Sequence, residues 1–141
     1  MAICFFDAPS GRNFPRKNRL KYCLRQTAAL FGKTISSLSY QFVGDGEMLE
    51  LNRRYLDHDT YTDILTFDQS EPGGPLEGDV FVSRDRVEEN GKALGSGVED
   101  EYCRVVAHGL LHLCGLDDHA PEDILRMRQE EQRFIELYHG K

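Results

Sequence analysis

Val105-Val106-Ala107-His108-Gly109-Leu110-Leu111-His112-Leu113-Cys114-Gly115 is apolar on nearly every face of a helix, apart from two histidines four residues apart. A helix of that composition must be largely buried, so the rest of the chain has to fold around it. Upstream, Ser96 followed by Glu99 has capping-box spacing and predicts a helix from about Gly97 to Cys114. Gly115 is placed to end it, since glycine readily takes the left-handed conformation that closes a helix.

Outward from this centre, period and punctuation give the other elements. Ile3–Phe6 reads as a short strand, and the turn residues around Pro9–Gly11 separate it from the next element. Pro15 fits the first turn of a helix running to about Phe31, with Leu20, Leu24, Ala28 and Phe31 facing inward and Gly32 as its stop. Leu38–Val43 alternates like a strand, and Asp45 is expected to cap a shorter helix through Tyr55. Ile64–Phe67 and Asp79–Val82 read as strands around a Pro/Gly loop over Gln69–Glu77, and Ser83 is expected to cap the following helix. Pro121 opens a final helix with a stripe of Ile124, Met127, Phe134, Ile135 and Tyr138. At 141 residues, with no repeat or low-complexity tract, one domain spanning 1–141 is expected.

The two histidines carry the chemistry. Spacing of four puts His108 and His112 one helical turn apart on one face, where both imidazoles can ligate a single ion. Two buried histidines satisfied only by hydrogen bonds would need two separate polar partners on an apolar helix, and one metal answers both needs. After the turn at Gly115 the chain returns Asp117-Asp118-His119 towards the pair. The pattern H-x-x-x-H-x-x-G-x-x-D resembles the metzincin zinc motif, whose third ligand lies three residues beyond the glycine. That register selects Asp118, with His119 as the alternative. Cys114 points off the histidine face and is left out. Three protein donors leave a fourth position for water, the arrangement of a catalytic zinc site with one Zn2+ per chain. A metal-bound water, its pKa lowered to about 7, would be the nucleophile. Metallopeptidases carry a glutamate base after the first histidine, in H-E-x-x-H. Here Gly109 stands there, which counts against peptide hydrolysis and leaves the general base unassigned.

His108-Gly109-Leu110-Leu111-His112-Leu113-Cys114-Gly115 closely resembles the H-G-x-L-H-L-x-G signature of the YbeY family, bacterial metal-dependent endoribonucleases of ribosomal RNA maturation. Leu51-Asn52 through Thr62-Asp63-Ile64-Leu65-Thr66-Phe67 resembles that family's L-N…T-D-V-L-S-F segment, and Gly78-Asp79-Val80-Phe81-Val82-Ser83 its G-D-I-x-I-S block. The fold this implies is α+β: a small four-stranded mixed sheet with surrounding helices and the zinc-binding helix at its centre. The activity it implies is a single-strand-specific zinc-dependent endoribonuclease, acting at the 3′ end of small-subunit rRNA and in ribosome quality control. Its implied partners are ribosomal RNA and the ribosome or ribosome-associated proteins, with neither DNA nor membrane. Two positions depart from the family: its third histidine is Asp118 here, and the arginine after the tyrosine of L-N-x-x-Y is Leu56. Arg53 and Arg54 are out of register for that role. Thr62 and Asp63 read first as strand-start residues, His58 as a loop residue expected to be solvated rather than part of the site, with Asp59 beside it, and His139 as irrelevant to the site.

Charge and cysteine content bound the rest. A net charge of −7 excludes indiscriminate coating of nucleic acid. Within it, Arg12, Arg16, Lys17, Arg19, Lys21 and Arg25 form a basic run without an acid, which reads either as a solvated helix face or as a local grip on RNA phosphates. Cys4, Cys23, Cys103 and Cys114 are scattered and are expected to be buried, reduced thiols. No stretch reads as a signal peptide or bilayer span, so a cytoplasmic protein is expected. Two other classes stay open: a ribosome assembly or binding factor with a structural metal, and a metallopeptidase recruiting a distant base such as Glu77 or Glu99.

Overall fold

The computed structural model describes residues 2–56 and 62–141, so His58 and Asp59 lie outside the described residues. The elements run β1 (Ala2–Phe6), α1 (Lys17–Leu30), β2 (Ile35–Val43), α2 (Asp45–Leu56), β3 (Ile64–Asp68), β4 (Leu76–Ser83), α3 (Arg84–Ala93), α4 (Val98–Leu113) and α5 (Pro121–Tyr138). The strands form one sheet in the order β1-β2-β4-β3. β1 and β4 both pair with β2 in parallel, whereas β3 pairs with β4 antiparallel, Leu65 opposite Phe81 and Phe67 opposite Asp79. The fold is therefore α+β with a mixed four-stranded sheet, and β3 is an edge strand.

Helix α4 lies at the centre. Ten of its sixteen residues are buried, which is why its sequence has no solvent face over the last three turns. Val105, Val106, Leu110 and Leu111 meet Leu38, Tyr40, Val80 and Val82 of the sheet in one continuous core. Each such side chain contributes about 1.5–3 kcal/mol on leaving water. Tyr40 places its hydroxyl within this core and donates to the Val106 carbonyl at 2.8 Å, so the polar atom costs little. No helix of the described residues is long and apolar enough to cross a membrane.

Several local expectations change in three dimensions. Ser96 does not cap α4: its N-cap is Gly97, at φ 93° and with no side-chain bond. Gly97 donates its N–H to Gly91 O at the close approach of α3 and α4, so the backbone path fixes this entry rather than a side chain. Pro15 precedes α1, whose N-cap is Arg16. Asp45 is the first residue of α2, and its carboxylate accepts from Ser83 Oγ at 2.9 Å and from Arg86. β2 and β4 begin earlier than alternation alone suggested, because strand pairing extends to Ile35 opposite Leu76. On α5, Ile124 is 42% exposed, and the buried stripe is Met127, Glu131, Phe134 and Tyr138. Cys23 and Cys103 are buried as expected, but Cys4 is exposed and Cys114 half-buried. Burial pushes the Cys114 thiol up to about 11.

Ser83 caps α3 as its sequence predicts, its Oγ accepting from Arg86 N at 3.2 Å while donating to Asp45. Because Ser83 is wholly buried, Ser83→Ala should destabilise the protein by about 1–2 kcal/mol, read as an earlier midpoint in urea unfolding.

Candidate metal centre

The C-terminus of α4 assembles the site. Gly115, at φ 98°, donates to His112 O, and Leu116 N donates to Leu111 O, both at 3.0 Å. This left-handed stop satisfies the last helical carbonyls and reverses the chain. It also turns the Leu116 carbonyl back to accept from His112 Nδ1 at 3.1 Å. Three residues beyond Gly115, Asp118 Oδ2 comes within 3.4 Å of His108 Nε2 and 3.5 Å of His112 Nε2. Among the described residues, these three donors form one group. His119 is 85% exposed and turns to Asp117, with its Nε2 3.2 Å from Asp117 Oδ1.

The protonation pattern of the two rings tests whether a cation fits. His108 Nδ1 faces Glu131 Oε2 at 2.6 Å, and His112 Nδ1 faces the Leu116 carbonyl. A carboxylate and a carbonyl accept, so a neutral ring in either place would carry its proton on Nδ1. The two Nε2 atoms then present lone pairs to each other at 2.9 Å, with a carboxylate oxygen beside them. Three facing electron-rich atoms repel unless a cation lies among them. Donors around a tetrahedral zinc with bonds of about 2.0–2.1 Å stand about 3.3 Å apart, close to the Asp118 separations here. The set of two imidazoles and one carboxylate fits a divalent metal.

The donors open onto a cleft of about 860 Å³, walled on one side by the β3 edge from Thr62 to Asp68 and on the other by α4 and Arg128. Arg104 lies one turn before His108. Its guanidinium meets Glu101, Asp63 Oδ2 at 3.2 Å and Glu131 Oε1 at 3.5 Å. Desolvation alone would lower the Arg104 pKa. The Glu101 hydrogen bonds, with the charges of Glu101, Glu131 and Asp63, outweigh it and hold the guanidinium above its ordinary value. Asp63 thus ties the β3 entrance to α4, and its carbonyl also accepts from Ser83 N. Thr62 Oγ1 donates to Ile64 O at 3.4 Å.

The basic run is not in this cleft. Arg12, Arg16 and Lys17 border a second cavity of about 430 Å³, beside Glu99. Arg19 donates to the carbonyls of Leu137 and Tyr138, closing the end of α5, which is a structural task rather than a free phosphate contact. The Arg16 guanidinium lies over the Tyr138 ring, 5.4 Å from its centroid. Lys21 is half-buried and Arg25 exposed. Neither Glu77 nor Glu99 lines the metal cleft, which removes the distant bases considered for a peptidase: Glu77 accepts from Ser36 and Glu99 from Tyr138. Glu131 and Arg104 escaped the sequence reading, although a carboxylate four residues after Met127 and three before Phe134 interrupts the buried stripe of α5.

The family model for endoribonuclease YbeY matches residues 13–139. The endoribonuclease YbeY of Cytophaga hutchinsonii is 41% identical over 135 residues, 96% of this chain and 94% of that protein. That of Bacteroides thetaiotaomicron is 38% identical over 122 residues, 86% of this chain and 88% of its own length. Among solved structures, the solution structure of TM1509 from Thermotoga maritima superposes with a TM-score of 0.69 at 26% identity, covering 99% of this chain and 90% of that one. With the matched model spanning nearly the whole sequence, and its signature falling on the helix that carries both histidines, the chain belongs to the endoribonuclease YbeY family.

Proposed function

We propose that this protein is a cytoplasmic, zinc-dependent endoribonuclease that cuts single-stranded RNA in ribosomal RNA maturation, with the whole of residues 1–141 as its one domain. The 3′ end of small-subunit rRNA and the ribosome with its associated proteins are the proposed setting, and quality control of ribosomes a further role. The observation that carries the reading is the pair of Nε2 atoms 2.9 Å apart beside the Asp118 carboxylate, an arrangement of three donors that suits a cation.

His108, His112 and Asp118 would hold the ion. Zinc with three protein donors supplies Lewis acidity and lowers the pKa of water to about 7. The chain's own residues do the rest. Arg128, 64% exposed on the cleft wall with one ion pair to Glu131 at 4.0 Å, is positioned to meet a phosphate, whereas the less exposed Arg104 pairs with three carboxylates. The cleft runs beside the edge strand β3, along Thr62 to Asp68, a lining that suits an extended single strand. Arg12 and Lys17 would take a more distant phosphate, steering a strand on an otherwise acidic body.

Incubation with single-stranded and duplex RNA, with zinc or with a chelator, tests this directly. Cleavage of the single strand alone, lost on chelation, is the expected result. RNA binding should weaken with salt, log K falling by about 0.7 per phosphate contacted against log salt. The double variant Arg12→Ala/Lys17→Ala should flatten that slope by about one unit and leave metal content unchanged. Zinc-loaded protein that binds ribosomes but cuts no RNA would replace the nuclease with an assembly factor.

A further inference from the structure

Glu131 is a buried carboxylate next to the site, 2% exposed like Glu101, on a stripe otherwise filled by Met127, Phe134 and Tyr138. Packing alone would be served by another apolar residue, since a buried ion pair is often no more stabilising than the hydrophobic group that could replace it. What Glu131 does that an apolar residue cannot is accept the His108 Nδ1 proton at 2.6 Å. Its other oxygen faces Arg104, which is itself fixed by Glu101 and Asp63. The carboxylate therefore has behind it a guanidinium that Glu101 and Asp63 fix, an ion pair at 3.5 Å without a hydrogen bond to Oε1, while its other oxygen meets one ring nitrogen.

We propose that Glu131 is a positioning residue for the metal. It holds His108 in the Nδ1–H tautomer, so that the Nε2 lone pair is always directed at the ion, and it sets the ring plane and donor strength of that ligand. Carboxylates placed behind a ligating histidine act in this way in other metal sites, and their loss weakens metal binding by about 10–100-fold. The two histidines are held differently: His112 has a neutral backbone carbonyl behind it, and His108 has a charged side chain. Glu131 thus acts on one ligand only. Arg104 serves the same end indirectly, since a neutralised or displaced guanidinium would free the carboxylate to turn away from the ring. The inference rests on the metal reading above, and its test separates the two.

The first measurement needs no substitution. Long-range proton–nitrogen correlation on ¹⁵N-histidine protein, metal-free and zinc-loaded, reads the tautomer of each ring, and His108 should be Nδ1–H in both states. The second compares wild type with Glu131→Gln, which keeps the shape but removes the charge. Zinc affinity, by competition with a chromophoric chelator, should fall about 10–100-fold. In the metal-free variant His108 should populate both tautomers, because an amide can donate as well as accept, while His112 keeps its own. A purely structural Glu131 would shift the melting temperature but leave the His108 tautomer and the zinc affinity as in wild type, and that result overturns the proposal. His108 found as Nε2–H in the wild type overturns it even if Glu131→Gln does not fold. Wild-type protein that takes up no zinc overturns the metal reading itself. Tight zinc lost with Glu131→Gln, in a protein that cuts no RNA, supports the positioning role and removes only the nuclease.

Discussion

Gly109→Glu, the substitution that would complete an H-E-x-x-H motif, should yield a protein that does not fold, and no peptidase. At Gly109 the helix α4 backbone rests on the sheet: a Cβ there would lie 3.0 Å from Val80 Cγ1 and 3.3 Å from Ile64 Cδ1. Even one methyl group overpacks this contact, at about 1–3 kcal/mol. That is offset in part by about 1 kcal/mol of better helix propensity for alanine over glycine. Gly109→Ala should therefore be folded and mildly destabilised. A glutamate adds a carboxylate driven into Val80 and Ile64 with no cation facing it. Burial of an uncompensated charge costs about 3–5 kcal/mol, and with the steric term the sum approaches the about 5–15 kcal/mol that holds a typical domain together. Thermal melts and soluble yield of the two variants are the measurement. A soluble Gly109→Glu protein with a cooperative melt would refute the packing account. The family's departure from the peptidase motif then has a physical reason in this chain: the position beside the first histidine faces the sheet, so no base can stand there.

Removal of a metal donor should have the largest effect on activity. His112→Ala deletes one of three donors, and Asp118→Ala deletes the only charged one; each should take zinc from near one ion per chain to near none after dialysis. RNA cleavage should fall with it, by at least about 100-fold, because the Lewis acidity and the activated water are lost together. His119→Ala should retain the metal, since that ring is turned outward to Asp117. Elemental analysis with parallel cleavage assays reads all three. Zinc kept by Asp118→Ala but lost by His119→Ala would reverse the assignment of the third donor. Neither histidine ligand contributes much to the core, being 14% and 29% exposed, so the metal-free variants should still fold, and a lost activity can be attributed to the site.

Asp118 has a shorter side chain than an imidazole, and the geometry explains how it reaches the pair. The stop at Gly115 is tight, with the Leu116 N–H returned to Leu111 O, so Asp118 arrives close to α4 without needing the reach of an imidazole. The position of a side chain three residues past the glycine is set by local backbone geometry, which is why a motif can point to it.

What the sequence by itself determined is local. The apolar run with histidines at a spacing of four dictates a buried helix with two imidazoles on one side, and the positive-φ glycine dictates where the chain turns back. Ser83 as a cap and the strands around Ile64 and Val80 follow from the same short-range rules. What only the tertiary structure decided is the set of contacts between distant segments. Glu131 meets His108 across 23 residues, and Arg19 meets Tyr138 across 119, while Arg12, Arg16 and Lys17 border a separate cavity, so one run of bases is spread over different surroundings. Arg104 is likewise matched to Asp63, 41 residues away. Periodicity reports which face of a helix is buried, but not which residue of another helix will face it; that choice belongs to the packing of α4 against α5 and the β3 edge.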